Sequence, residues 1–155
     1  MKAIQIKKHG NANILECSRI DEPSCPDDKV KVKIKASSIN HLDIWVRNGI
    51  PGMNLPLPLI LGSDASGIVV EVGKQVSCSI HENDEVVIQP GTYDRNCKMA
   101  IIGKENFSKT YGILGETEDG LQAEYVILDP LNIYPKPSKL SFIESASMPL
   151  VFMTS

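Results

Sequence analysis

Residues 58–73 read Pro58-Leu-Ile-Leu-Gly-Ser-Asp-Ala-Ser-Gly-Ile-Val-Val-Glu-Val-Gly73 and are the most informative stretch of the chain. Glycines at positions 62, 67 and 73 bracket an apolar run, which is typical of a buried strand with tight turns around it. Similar turn residues recur at roughly 8 to 12-residue spacing through the first half of the chain. This rhythm predicts a mainly β domain with few short helices.

Other strands are predicted on both sides of this stretch. In the strand after residue 28, apolar residues alternate with Lys31, Lys33 and Lys35, so we expect one face to be buried and the lysine face to be solvated. The predicted strands are residues 2–6, 14–19, 29–36, 84–89 and 121–127. Residues 92–110 show neither the strand nor the helix period and are expected to form an irregular excursion.

Two helical signals stand out. Leu42, Trp45 and Val46 follow the helical spacing within residues 40–49, and Gly49 provides a stop. Further on, Ser141 and Glu144 form a capping-box pattern, which predicts a helix that Pro149 ends or restarts.

Composition bounds the function. The 155 residues suffice for one compact domain, and the formal net charge of -3 lacks the basic excess of nucleic-acid binders. The chain shows neither a signal-peptide core nor a membrane-length apolar run, so we expect a cytoplasmic protein without a membrane partner. Because Cys17, Cys25, Cys78 and Cys97 include no C-x-x-C pair, we expect them to be reduced structural thiols.

Five motifs, in order and with matching spacing, carry a family resemblance. They are the stretch 58–73 quoted above, Ser38-Ile-Asn-His-Leu-Asp-Ile-Trp-Val-Arg-Asn-Gly49, Asn83-Asp-Glu-Val-Val87, residues 111–126 from Tyr-Gly-Ile-Leu-Gly onward, and Ala146-Ser-Met-Pro-Leu150. Together they resemble the N-terminal catalytic domain of the medium-chain dehydrogenase/reductase superfamily, which includes zinc alcohol dehydrogenases and quinone oxidoreductases. The resemblance covers essentially the whole chain. It implies a GroES-like, partly open β-barrel over residues 1–135, and a linker with a first helical segment over 136–155 that leads toward a Rossmann domain absent from the chain.

The resemblance also implies hydride transfer between NADP or NAD and a small-molecule carbonyl, quinone or enone. In zinc-dependent members, a Cys, a His and a Cys hold the catalytic metal. Those positions fall on Asn40, on Ser63 and near Leu150. An amide and a hydroxyl are poor zinc ligands and a leucine is none, so we expect no catalytic zinc.

A second family metal, a structural zinc, is held by four cysteines. The resemblance places them at Asp94, Cys97, Ala100 and Ser108, which leaves one thiolate of four. A structural zinc needs a closed tetrahedral shell, so we expect no metal here either. Without it, residues 92–110 are predicted to be among the most mobile of the chain.

By resemblance to the zinc-free quinone and enone reductases, Asn40, Ser63 and Asp64 are the candidate catalytic residues, and Trp45 and Arg47 the candidate cofactor-binding residues. An amide and a hydroxyl can donate to a developing oxyanion. Alternatives remain open at this point. Trp45 on its apolar stripe also fits core packing, Arg47 also fits a helix-end cap, and Asp64 also fits a hydrogen-bonded scaffold. Asp43 is expected to brace its helix.

The sequence contains no G-x-G-x-x-G phosphate loop. The favoured hypothesis is therefore the catalytic-domain fragment of a zinc-independent NAD(P)-dependent oxidoreductase, inactive alone, with the cofactor not stably bound. One alternative is a standalone GroES-like binding or oligomerisation module, since an exposed apolar terminal helix favours homo-oligomers. The other alternative is a fragment of a zinc-dependent alcohol dehydrogenase.

Overall fold

The structure, a computed structural model, describes residues 1–77 and 79–155. Cys78, one of the cysteines expected to be reduced, lies outside the described residues, whereas Cys17, Cys25 and Cys97 are free thiols. The strands are β1 Lys2–Ile6, β2 Glu16–Arg19, β3 Val30–Ser38, β4 Leu59–Ile60, β5 Asp64–Val72, β6 Glu85–Ile88, β7 Gly91–Thr92, β8 Gly112–Ile113, β9 Tyr125–Leu128 and β10 Ile133–Pro135. The α-helices are α1 His41–Asn48, α2 Lys98–Ile101, α3 Phe142–Ala146 and α4 Pro149–Thr154, and short 3-10 turns span Ala12–Ile14, Glu105–Phe107 and Pro130–Asn132.

These strands form antiparallel sheets. The largest sheet has the strand order β10-β6-β5-β3-β9, a second has the order β2-β1-β4, and β7 pairs with β8. The pairing of β3 with β5 extends from Val30 opposite Val72 to Ser38 opposite Asp64. This architecture, mainly strand with short helices, confirms the predicted mainly β fold class.

Two apolar clusters form the core. The larger lies between the sheets and contains Val32, Val69, Ile88 and Leu121, each with no exposed surface. The smaller lies beneath α1, where Val46 packs with Ile6 and with Leu55, Leu59 and Leu61. The smaller cluster fixes α1 against the segment that leads into β5.

The predicted lysine face of β3 is wrong at one position. Lys31 is only 8% exposed, because its Nζ bonds the Glu22 carboxylate at 2.5 Å and lies over the Tyr125 ring. Partnering of this kind lets a long cationic side chain be covered, which strand alternation alone does not reveal. Lys33 and Lys35 are exposed as predicted.

The helical signals near the C-terminal part are confirmed. Ser141 Oγ accepts from the Glu144 amide at 3.2 Å, and a Glu144 carboxylate oxygen accepts from the Ser141 amide at 2.8 Å. Pro149 begins α4, so the chain restarts a helix there. Among the described residues, no helix has the length and apolar character needed to cross a membrane.

Candidate active site

The candidate site lies where β3 ends, α1 begins and β5 begins. Asn40 is the residue before α1, and the antiparallel register sets Ser38 directly opposite Asp64. Asp43, in the first turn of α1, accepts from the Asn40 backbone amide at 2.6 Å and from the Gly62 amide at 3.0 Å. The expected bracing role of Asp43 therefore has a specific form: its carboxylate ties α1 to the residue before Ser63.

Asp64 is the centre of the site and has no exposed surface. Its Oδ2 accepts from Asn40 Nδ2 at 2.9 Å and from Ser38 Oγ at 3.3 Å, and its Oδ1 accepts from the Leu150 backbone amide at 2.8 Å. We call Ser38, Asn40, Asp64 and Leu150 the Asp64 junction. It brings together two of the predicted catalytic residues, Asn40 and Asp64, and the position near which the family places its third metal ligand.

Ser63 precedes this junction in the chain and is also completely buried. Within residues 1–77 and 79–155, its Oγ has no hydrogen-bond partner. A buried hydroxyl without a partner carries a desolvation cost, so it is a group available for a bound molecule or water.

Close backbone packing holds the Ser63 segment in place. The Leu121 amide donates to the Gly62 carbonyl at 2.8 Å, and the Gly120 amide donates to the Ile60 carbonyl at 2.8 Å. A side chain at residue 120 would overlap the Gly62 carbonyl oxygen, so this approach requires glycine.

The two predicted cofactor-binding residues lie on different faces of α1. Trp45 is 55% exposed and meets the His41 ring edge-on, with ring centroids 4.8 Å apart. The predicted apolar stripe is thus wrong at Trp45, because Asp43 and Val46 form the buried face instead. Arg47 donates from Nε to the Gly10 carbonyl at 3.2 Å and lines, with Ile44, an apolar groove of about 750 Å³ whose lining does not include Trp45.

Both buried carboxyls are electrostatically perturbed. Burial raises the pKa of Asp64 above its ordinary value, against the hydrogen bonds from Asn40, Leu150 and Ser38, which lower it. Burial likewise raises the pKa of Asp43, and the nearby Asp64 charge adds to that rise. Neither pKa shift by itself assigns a role in proton transfer.

The residues present do not fit a catalytic zinc. The three positions where the resemblance places ligands hold the Asn40 amide, the Ser63 hydroxyl and the Leu150 aliphatic side chain, and Asp64 is fully engaged by three donors. In the described part of the chain, no group of three His, Cys, Asp or Glu side chains could hold a metal ion. None of the three side chains at those ligand positions is a thiolate or an imidazole, the donors that zinc prefers.

Residues 92–110, which we call the lobe, contain α2 and a 3-10 turn rather than a wholly irregular excursion. Cys97 Sγ accepts from the Ala100 amide at 3.3 Å and lies 3.3 Å from Ser108 Oγ, which in turn lies 2.8 Å from Thr110 Oγ1. The Asp94 amide donates to Thr110 Oγ1 at 3.1 Å. All four positions assigned to the structural zinc thus take part, through side-chain or backbone atoms, in one local hydrogen-bond network; the predicted mobility stays a prediction.

An antiparallel GroES-like barrel with its candidate site at the start of β5 defines a class, the catalytic domains of alcohol dehydrogenase-like oxidoreductases. The model of the alcohol dehydrogenase GroES-like domain matches residues 26–138. The chain belongs to this family, and the resemblance read from its five motifs is confirmed.

Known relatives agree with this assignment. The chain is 32% identical to a 2-methylene-furan-3-one reductase of Solanum lycopersicum, covering 100% of this chain and 36% of that protein. It is 28% identical to an NAD-dependent alcohol dehydrogenase of Saccharolobus solfataricus, covering 96% and 44% respectively. A solved structure of an NAD-dependent alcohol dehydrogenase superposes with a TM-score of 0.94 at 42% identity, covering 99% of this chain and 45% of that chain. The chain therefore spans less than half the length of the relatives it matches.

Sequence reasoning missed two members of the Asp64 junction. Ser38 and the Leu150 amide have no signal of their own in the sequence, because their contacts with Asp64 arise from strand register and from helix placement. The register of β3 against β5, once drawn, would have placed Ser38 opposite Asp64.

Proposed function

We propose that the chain is the catalytic-domain part of a zinc-independent, NAD(P)-dependent reductase acting on an activated carbon-carbon double bond, such as that of an enone. The observation that carries this proposal is the Asp64 junction, in which the Asn40 amide occupies the position of one metal ligand and is held by the buried carboxylate of Asp64. Asn40 is half-buried, so its side chain borders solvent while one amide hydrogen is engaged by Asp64. The second amide hydrogen is then a donor available to a substrate oxygen.

The names of several relatives support the choice of substrate class. They include the furanone reductase above, an NADPH-dependent alkenal/one oxidoreductase of Arabidopsis thaliana at 29% identity, and a crotonyl-CoA carboxylase/reductase of Cereibacter sphaeroides at 32% identity. Their named substrates share a double bond conjugated to a carbonyl. Hydride addition to the β carbon of such a bond moves negative charge onto the carbonyl oxygen, which hydrogen-bond donors stabilise without a metal, and the resulting enolate takes a proton from solvent at the α carbon.

In this proposal the chain contacts only the nicotinamide end of the cofactor. The exposed Trp45 and His41 rings form an aromatic surface on the helix that Asn40 begins, and such a surface suits a flat apolar ring. Reduced nicotinamide, when bound, supplies the hydride. The phosphates require a site that the 155 residues do not contain, so we expect stable cofactor binding only in a longer polypeptide.

The chain's own groups have defined tasks in this proposal. The Asn40 amide donates to the oxygen on which negative charge develops, and the buried Ser63 hydroxyl, which has no partner among the described residues, is a second polar group beside Asp64 in the chain. The Trp45 face excludes water from the path of the hydride. Arg47, whose Nε is engaged by the Gly10 carbonyl, serves as a clamp between α1 and the N-terminal segment.

The test uses the complete open reading frame, purified after chelator treatment and assayed with NADPH and NADH against an enone, a quinone and an aldehyde. We expect enone-dependent oxidation without bound zinc, and no turnover by residues 1–155 alone. Asn40→Ala should lower kcat about 100-fold, as loss of an oxyanion donor does, whereas Asn48→Ala on the exposed side of α1 should not. Stoichiometric zinc whose removal abolishes activity would refute the proposal and favour the zinc-dependent alternative.

Three further expectations accompany this proposal. Exposed Ile143 and Phe152, 77% and 73% accessible, support a homo-oligomer or a covering domain at α3 and α4. A domain boundary near residue 135 and a cytoplasmic location stay predictions. Sedimentation of the chain over a range of concentrations tests the first.

A further inference from the structure

The Asp64 carboxylate joins three parts of the chain that are distant in sequence. Its donors come from the end of β3, from the residue before α1 and from the first turn of α4, which lie 26, 24 and 86 positions away. With no exposed surface and both oxygens engaged, the carboxylate has no free face toward a substrate. Its contacts suit fixing its neighbours better than reacting.

The contact with α4 is unusual for a helix start. Met148, the residue before α4, makes no side-chain cap hydrogen bond, and Pro149 has no amide hydrogen. The Leu150 amide is therefore the first donor of the helix, and Asp64 accepts from it at 2.8 Å. Asp64 supplies the cap that local sequence lacks, so the placement of α4 depends on β5.

The same carboxylate orients Asn40. An isolated asparagine side chain at the start of a helix has several accessible rotamers, and the bond from Nδ2 to Asp64 at 2.9 Å selects one of them. The selected rotamer leaves the second Nδ2 hydrogen without a partner among the hydrogen bonds of the described residues. A shift of α4 would move the Leu150 amide, and with it the Asp64 carboxylate that holds Asn40.

We propose that Asp64 is a positioning residue that couples the placement of α4 to the orientation of the Asn40 amide. In this role Asp64 transfers no proton. The kinetic part of this inference rests on the proposed function, while the structural part does not.

The structural part is tested by amide hydrogen exchange and NMR on the 155-residue chain. In Asp64→Asn, the charged carboxylate becomes a carboxamide, in which one oxygen is neutral and the other is replaced by an NH2 group. Exchange of the Leu150 amide should therefore rise about tenfold, and the Asn40 side-chain resonances should shift. The matched control is Asp43→Asn, which removes an equally buried carboxylate whose bonds go to the Asn40 and Gly62 amides. It should accelerate Leu150 exchange much less than Asp64→Asn does, because Asp43 makes no contact with the Leu150 amide.

A second variant covers the case in which Asp64→Asn does not fold. Asn40→Ala removes a half-buried side chain and keeps Asp64, and the coupling predicts a changed Leu150 amide resonance in this variant. An unchanged Leu150 resonance in Asn40→Ala, or equal acceleration of Leu150 exchange in Asp64→Asn and Asp43→Asn, would overturn the coupling.

The kinetic part uses a double-mutant cycle in the complete enzyme. Asp64→Asn should lower kcat between about 10-fold and 100-fold with KM altered less than about threefold, as misplacement of a donor does. Because Asp64 acts through Asn40, the Asp64→Asn, Asn40→Ala double variant should be no slower than Asn40→Ala alone. If the kcat losses of the two single variants multiply in the double variant, the positioning role is overturned. If the complete enzyme has no reductase activity, the proposed function is refuted, and the hydrogen-exchange result alone decides the coupling.

Discussion

The Asp64 junction and the lobe are two regions at which the family resemblance places metal ions, and in both of them protein groups bond to one another instead. They differ in the sequence separation of the residues that they join and in their burial. The contacts of Asp64 join residues up to 86 positions apart and are buried, whereas the lobe bonds among Asp94, Cys97, Ser108 and Thr110 span at most 16 positions and lie mostly at the surface. A buried polar group depends on its partners far more than an exposed one. The comparison implies that the fold depends on the Asp64 junction and tolerates change in the lobe.

The largest expected contrast concerns glycines that support the two regions. Gly120→Ala should lower the free energy of unfolding by about 3 kcal/mol, because the new methyl group would overlap the Gly62 carbonyl next to Ser63. Gly103→Ala in the lobe meets open space and is strained only by its φ of +70°, so it should cost about 1 kcal/mol. Urea unfolding followed by circular dichroism measures both.

Equal losses of unfolding free energy in Gly103→Ala and Gly120→Ala would contradict the contrast between the Asp64 junction and the lobe. If Gly120→Ala loses stability but its Ser63 amide resonance does not move, the close approach of Gly120 to the Gly62 carbonyl stabilises the barrel but does not position the site.

The sequence predicted what local patterns encode and missed what distant segments bring together. The Ser141 capping box, the restart at Pro149 and the β3 alternation follow from residues within one turn or one strand, and all were confirmed in outline. Lys31 is buried only because Glu22 and Tyr125 come from other segments. Helical spacing put Trp45 on an apolar stripe, although the buried residues of α1 are Asp43 and Val46.

A second contrast compares carboxylates that accept backbone amides. Asp43→Asn should cost about 2 kcal/mol, because an amide nitrogen would face one of the Asn40 and Gly62 donors in a buried place. The exposed Asp94 accepts from the Asn96 amide, and Asp94→Asn keeps an acceptor oxygen, so its effect should stay below about 0.5 kcal/mol. Thermal and urea unfolding at several pH values measures both variants.

The pH dependence sharpens this test. Burial raises the pKa of Asp43 in the folded state above its ordinary 3.8, so the folded protein binds the proton more tightly than the unfolded chain. The stability that this titration contributes is present below pH 3.8 and is lost as pH rises through the folded-state pKa. The stability difference between the native protein and Asp43→Asn should therefore shrink with rising pH, and a difference that grows would contradict the assigned direction.

The smallest expected effect concerns the thiol in the lobe. The hydrogen bond with Ser108, followed by that from the Ala100 amide, lowers the pKa of Cys97 below its ordinary value, which increases the thiolate fraction near neutral pH. Ser108→Ala removes the larger of these contributions, so alkylation of Cys97 by iodoacetamide at neutral pH should slow about threefold, as measured by peptide mass spectrometry. Ser147→Ala, at the end of α3, is the matched control and should leave the rate unchanged.

This last measurement separates two accounts of the lobe. If the hydroxyl of Ser108 organises the network, its loss slows Cys97 alkylation while the free energy of unfolding changes by less than about 1 kcal/mol, since a single exposed hydrogen bond contributes little. If the lobe is as mobile as the loss of its zinc ligands predicts, its hydrogen-bond network is rarely formed. Ser108→Ala then leaves the rate of Cys97 alkylation unchanged. The Asp64 junction offers less freedom, because its bond from the Leu150 backbone amide cannot break without a shift of α4 relative to β5.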